Sequence, residues 1–131
     1  MRITKITITT TSGYCPVAYM YKDRLTVTET GLRYSCTPQI ASETNPVRKW
    51  SYSTDSAEYR EKYEELAKAV TDVFQQKIDD FACDVGIVDF RIVYEDNSKD
   101  RRTFSLPINY FAEVFDILAQ MVPACEVYPK E

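Results

Sequence analysis

Four thiols, one run of carboxylates and a set of regularly spaced cations are the groups in this 131-residue chain that could do chemistry. Cys15, Cys36, Cys83 and Cys125 stand 21, 47 and 42 residues apart, spacings that match no zinc, haem or CxxC redox pattern. The chain holds no histidine, which removes the commonest general base, the usual nitrogen ligand and the usual neutral-pH switch together. Ser-His-Asp triads and zincin-type metal sites are excluded with it. A cysteine nucleophile needs a base, a cation or a helix N-terminus beside it to lower its pKa. Cys15, in a loop next to Pro16, is the one worth probing. Cys36 falls on the inward parity of a strand, Cys83 follows an acidic turn, and Cys125 lies in the tail beyond Pro123.

The run Asp79-Asp80-Phe81-Ala82-Cys83-Asp84 brings three carboxylates and a thiol to a helix end, the makings of a hard-cation site or a paired acid and base. It lacks the glycine-centred spacing of a calcium loop, and the helical period turns its acids to solvent. Neither a metal nor any other cofactor is implied. Ten tyrosines suggest a pocket, but Tyr59 and Tyr63 belong to a helical stripe, and Tyr34, Tyr52 and Tyr94 share an inward strand parity that assigns them to the core.

The cations form a clearer constellation. If Ile6, Leu25, Tyr34, Trp50, Phe90 and Phe104 face a core, the two-residue period of strands sends Lys5, Arg24, Arg33, Lys49, Arg91 and Arg101 to the opposite side. Asp89 is the one acid of that parity, and Thr7, Thr9, Thr26, Thr28, Ser35, Ser51 and Thr103 fill the remainder with hydroxyls. Such a face is either a solvated sheet surface, where Thr is a good strand former and charges discourage edge pairing, or a docking surface for an anionic partner. Arg33 and Arg91 are expected there as exposed charges, reversible with little effect on stability.

The elements that must position these residues are legible in outline. RITKITITT at 2–10 alternates from Lys5 onward as a half-buried strand. Val17–Lys22 is a second strand, and RLTVTE at 24–29 with LRYSC at 32–36 forms a hairpin around Thr30-Gly31. The polar stretch 37–46 is a loop, and RKWSYS at 48–53 returns as a strand with Trp50 and Tyr52 on its inner face. Asp55 caps a helix of about 56–81, with Glu58 reaching back three residues on. Its apolar stripe is Tyr59, Tyr63, Leu66, Ala67, Val70, Val73, Phe74, Ile78 and Phe81. Strands at 88–94 and 101–106 make a second hairpin, and a helix at 110–122 ends at Pro123. The order β-β-β-β-β-α-β-β-α, with no βαβ alternation, predicts an α+β fold: one antiparallel sheet of six to seven strands carrying both helices on one face, in a single domain.

KWSYSTDSAEY, DVG, VDFRIVYED, TFSLP and YFAEVFDIL together resemble a family of small uncharacterised bacterial α+β proteins. The resemblance covers most of the chain and its motifs are structural. The family brings no activity with it, so it assigns no functional residue.

Sixteen bases against twenty acids leave a net charge of −4, which argues against non-specific nucleic-acid binding by the whole molecule. The charge is uneven: residues 1–54 carry seven bases and three acids, residues 55–84 four and nine. RNA-binding sheets stack bases on exposed aromatics, which this parity places inside, so an acidic protein surface suits the basic face better. The sequence therefore points to a non-enzymatic binding domain recognising an acidic protein, or a second copy of itself, through an open basic sheet face. The alternative is a small-molecule enzyme or ligand binder with a cleft between the 37–46 loop and the end of the long helix.

No stretch approaches the 18 to 20 apolar residues, roughly, that span a bilayer, so no membrane partner is expected. The start MRITKITITTTSGYC shows no apolar leader core and no lipobox precedes Cys15, which predicts a cytoplasmic protein. A leader removed upstream would place the same chain in an oxidising compartment. All four thiols are expected to react with a thiol reagent after denaturation without reductant. A count below four would show a disulfide and move the protein to an oxidising compartment.

Overall fold

Isoleucine and threonine are stiff at χ1 and pack well on a pleated surface, and their alternation makes the strand β1 (Ile3–Thr11). In the computed structural model, which describes residues 2–11, 20–40, 42, 47–75, 87–104 and 111–121, β1 runs through the interior of one sheet. After it come β2 (Tyr21–Thr28), β3 (Gly31–Pro38), β4 (Arg48–Ser53), α1 (Ala57–Gln75), β5 (Ile87–Tyr94), β6 (Lys99–Phe104) and α2 (Ala112–Met121). The strands stand in the order β4-β3-β2-β1-β5-β6, every neighbouring pair antiparallel. Among the described residues the protein is thus an α+β fold with one six-stranded antiparallel sheet and two helices.

Register explains which residues are inside. Trp50, Tyr34, Leu25, Ile8, Phe90 and Arg102 form one row across the sheet, and Tyr52, Leu32, Val27, Ile6 and Ile92 form the next. These rows meet Tyr63, Leu66, Val70 and Val73 of α1 and Val114, Leu118 and Met121 of α2 in one core, so both helices cover the same face. A bulge between Ile3 and Lys5 inserts one extra residue opposite β5, which lets Ile3 stay buried although its parity is odd. That is why the sequence alternates only from Lys5 onward.

Polar staples tie α1 to the sheet. The Tyr59 hydroxyl lies 2.8 and 2.7 Å from the carbonyl oxygens of Thr28 and Gly31, and the Tyr63 hydroxyl donates to the Ile3 carbonyl at 2.9 Å. Arg102 donates to the carbonyls of Val73 and Phe74 at 3.2 and 3.1 Å while its guanidinium sits 4.8 Å from the Phe104 ring centre. A cation on an inward strand position is thereby matched to helix carbonyls and an aromatic face. Phe90, Phe104 and Phe111 close this side of the core, with ring centres 5.1 to 6.0 Å apart.

Several local expectations shift. The separate strands at 17–22 and 24–29 give way to one strand through Asp23, and residues 17–19 lie outside the described residues. Ser56, not Asp55, caps α1: its hydroxyl accepts from the Tyr59 N–H, because the helix begins one residue later than the Asp55–Glu58 spacing suggested. Ala69 is buried on the stripe while Ala67 is only partly so; Ile78 and Phe81 fall outside the described residues. Trp50 is half-buried against Tyr34, 5.4 Å between ring centres, and Tyr52 is 38% exposed, since β4 is an edge strand that the helices only partly reach. Tyr94 is half-buried too. Gly31 is required by crowding: a Cβ there would run into the Tyr52 carbonyl of β4. In the β5–β6 turn Asn97 takes the left-handed conformation, φ 69°, which Asn tolerates.

Asp23 is the unexpected core residue, only 3% exposed. It accepts hydrogen bonds from the Thr10 hydroxyl and backbone N–H and, at 3.1 Å, from the Tyr34 hydroxyl. Burial pushes its carboxyl above the ordinary value, and these neutral donors only partly offset that. A carboxyl raised on folding binds its proton more tightly in the native state. It therefore favours folding below its unfolded pKa, and that contribution is lost as pH rises through the folded value. Asp23→Asn keeps an acceptor for Thr10 without the charge. Urea unfolding should find the variant more stable than the native chain at pH 7, with the gap closing toward about pH 4, the unfolded carboxyl range. Parallel pH profiles would show that Asp23 carries no such penalty.

Candidate functional site

The face of the sheet away from the helices carries the odd-numbered residues of β1, β3, β4, β5 and β6 beyond the bulge and the even-numbered residues of β2. Lys5, Arg24, Arg33, Lys49, Arg91 and Arg101 all lie on it and all are exposed. The register adds two cations the sequence reading passed over. Lys22 belongs to the same strand as Arg24 once β2 is continuous, and Lys99, expected in a turn, pairs with Val93 at the start of β6. Asp89 is the sole carboxylate of this parity among the described strand residues, and no aromatic shares it.

Two rows make the centre of the surface. Lys49, Ser35, Arg24, Thr9, Asp89 and Thr103 cross the sheet in one, and Ser51, Arg33, Thr26, Thr7, Arg91 and Arg101 in the next. Arg91 and Arg101 are directly opposite each other, an arrangement of like charges that by itself destabilises a sheet. Asp89 resolves it. Its Oδ2 accepts from Arg91 Nε at 2.9 Å, and its Oδ1 from Arg101 Nε at 2.8 Å and the Thr103 hydroxyl at 2.6 Å. The carboxylate side chain is 8% exposed, whereas the arginines are 47% and 58% exposed. Burial alone would raise the Asp89 carboxyl, but the bonds from Thr103, Arg101 and Arg91 outweigh it and hold the group below its ordinary value. The expectation that Arg91 is a freely reversible surface charge is thereby overturned, because reversal would set a second carboxylate against Asp89.

The surface is not flat. A concavity of about 500 Å³ is bordered by Lys5, Thr7, Arg24, Thr26, Arg91 and Arg101 among others, and a second of about 340 Å³ lies beside it near Arg33 and Ser51. The helix side has the opposite sign. Glu58, Glu61, Glu64, Glu65 and Asp72 of α1 are exposed, as are Glu113 and Asp116 of α2, and together they outnumber the helix cations Arg60, Lys62 and Lys68.

The other sequence candidates form no site among the described residues. Cys36 is a buried free thiol whose pKa burial pushes up, the reverse of what a nucleophile needs. Cys15, Cys83 and Cys125, and the acids Asp79, Asp80 and Asp84, lie outside the described residues, as does much of the 37–46 loop. Among the described residues no group of three or more Cys, Asp or Glu side chains could hold a metal ion, and no helix is long and apolar enough to cross a membrane. Comparisons with protein-family models, curated proteins and solved structures return no match.

A carboxyl depressed on folding stabilises the native state above its unfolded pKa, and that contribution is lost as pH falls through the folded value. Asp89→Asn should therefore cost about 1.5 to 3 kcal/mol at pH 7, the range for a hydrogen bond to a charged group, with the difference shrinking below about pH 4. Denaturant unfolding across pH reads it; a cost that does not vary with pH would assign Asp89 a steric role only.

Proposed function

We propose that this protein is a non-enzymatic binding module that docks an acidic protein surface on the open face of its sheet. The observation that carries the reading is the segregation of charge. Eight cations and one carboxylate share the strand positions of a face the helices leave uncovered, in a chain whose net charge is −4. Exposed cations of this density raise the local potential and speed encounter with an anionic surface, and arginine forks then give it bidentate contacts. The lack of open-face aromatics among the described strand residues favours protein over single-stranded nucleic acid. A second copy of the chain offers a matching surface in its own acidic helix layer, so self-association belongs to the same reading. The buried free thiol of Cys36 supports a reducing, cytoplasmic setting.

Poly-L-glutamate is a suitable probe. Arg24 and Arg33 are exposed and lie outside the Asp89 cluster, so reversing both to Glu should move stability by no more than about 0.5 kcal/mol. The double reversal should weaken binding of the probe about tenfold or more at low salt, and added salt should erase most of the difference. Binding indifferent both to the reversal and to salt would leave the face as a solvated sheet surface.

A further inference from the structure

Arg91 and Arg101 face each other across β5 and β6 with side chains that start about 5 Å apart. Both of their ion pairs run through Nε to the same carboxylate, so neither occupies the Nη donors of its guanidinium. Asp89 is itself almost wholly covered and is further held by Thr103. The result is a strut: a buried acid that fixes two arginine forks side by side at the border of the 500 Å³ concavity. Lys5, Arg24 and Lys99 border the same concavity, with the Thr7 and Thr26 hydroxyls between them.

A carboxylate offers two oxygens in one plane and one negative charge, and one arginine fork can engage both oxygens at once. Here two forks held by Asp89, further cations and hydroxyls border one hollow, and Asp89 behind them and Asp100 at the border cancel only part of their charge. A group with three terminal oxygens and nearly two charges fits that donor set better. We infer that the concavity between Arg91, Arg101, Lys5 and Arg24 is a binding site for a phosphate monoester carried on the partner protein, a phosphoserine or phosphothreonine. Asp89 acts in it as a positioning residue. The inference rests on the docking reading above and adds the chemistry of its anchor point.

The full chain would be titrated with three capped pentapeptides that share flanking glutamates and differ only in a central phosphoserine, glutamate or serine, and separately with inorganic phosphate. Nitrogen-edited NMR follows the arginine Nε–H signals throughout. At pH 7.5 the phosphopeptide should bind at least about tenfold more tightly than the glutamate peptide and shift the Arg91 and Arg101 signals. The preference should shrink at pH 5, where a phosphate monoester with a second pKa near about 6 has lost most of its second charge. Arg91→Lys and Arg101→Lys keep the charge but lose the fork, and each should bring the phosphopeptide down to the glutamate level. Lys68→Ala, exposed on α1 and away from the open face, should not.

If an arginine variant fails to fold, Lys5→Gln and Arg24→Gln, which border the hollow without touching Asp89, carry the comparison. Equal binding of phosphoserine and glutamate peptides, with salt-sensitive binding of both, would overturn the phosphate assignment and leave the docking reading standing. Inorganic phosphate binding as tightly as the phosphopeptide would overturn the assignment to a protein-borne group. No binding of any peptide, with poly-L-glutamate indifferent to the Arg24/Arg33 reversal, would overturn both.

Discussion

The pairing of β1 with β2 on one side and β5 on the other sets the register on which every other feature depends. Ile6 and Ile8 sit between Val27 and Leu25 on one flank and Ile92 and Phe90 on the other, all essentially without solvent contact. Because strand side chains alternate with a period of two, a slip by one residue would turn this apolar row to solvent and drive Arg24, Arg33 and Arg91 against the helices. Burying several unpaired cations would cost more than a small fold can supply, so the hydrophobic rows and the basic face enforce the same alignment from opposite sides. The bulge near the start of β1 and the Tyr63 bond to the Ile3 carbonyl anchor the alignment at the point where alternation breaks.

Asp23 and Asp89 show how one residue type is put to opposite ends by a single sheet. Both are almost fully covered and both accept three hydrogen bonds. Asp23 meets only neutral donors on the helix side, and its charge is disfavoured. Asp89 meets two guanidiniums and a hydroxyl on the open side, and its charge is held. The first specifies packing at a cost that grows with pH; the second stores positive charge at the surface by making two facing arginines tolerable. This second use is what connects the fold to the docking function proposed above, since two forks oriented before a partner arrives would have less side-chain entropy to lose on contact.

Net charge conceals this arrangement. A chain at −4 with eight of its sixteen bases on one side of a sheet and many of its acids on the helices presents two surfaces of opposite sign. An approaching molecule within a Debye length, about 8 Å at physiological ionic strength, meets the nearer surface rather than the total.

The class of fold and the six first-recognised cations of the basic face were legible in the sequence because both follow from short-range regularities. Alternation in KITITT, RLTVT, LRYSC and VDFRIVY marks strands and sorts their residues into two faces without any knowledge of neighbours. The 3.6-residue stripe from Tyr59 to Val73 marks α1 in the same way. What the sequence could not show was which strand lies beside which. That Arg101 meets Asp89, that Thr10 and Tyr34 satisfy Asp23, and that Arg102 reaches the carbonyls of Val73 and Phe74 all depend on register between segments 11 to 29 residues apart. Lys22 and Lys99 were missed for the same reason, since a residue at a strand end takes its face from its pairing partner. Parity is a property of one chain segment, whereas a hydrogen bond between strands exists only once tertiary structure has placed both partners within about 3 Å of each other.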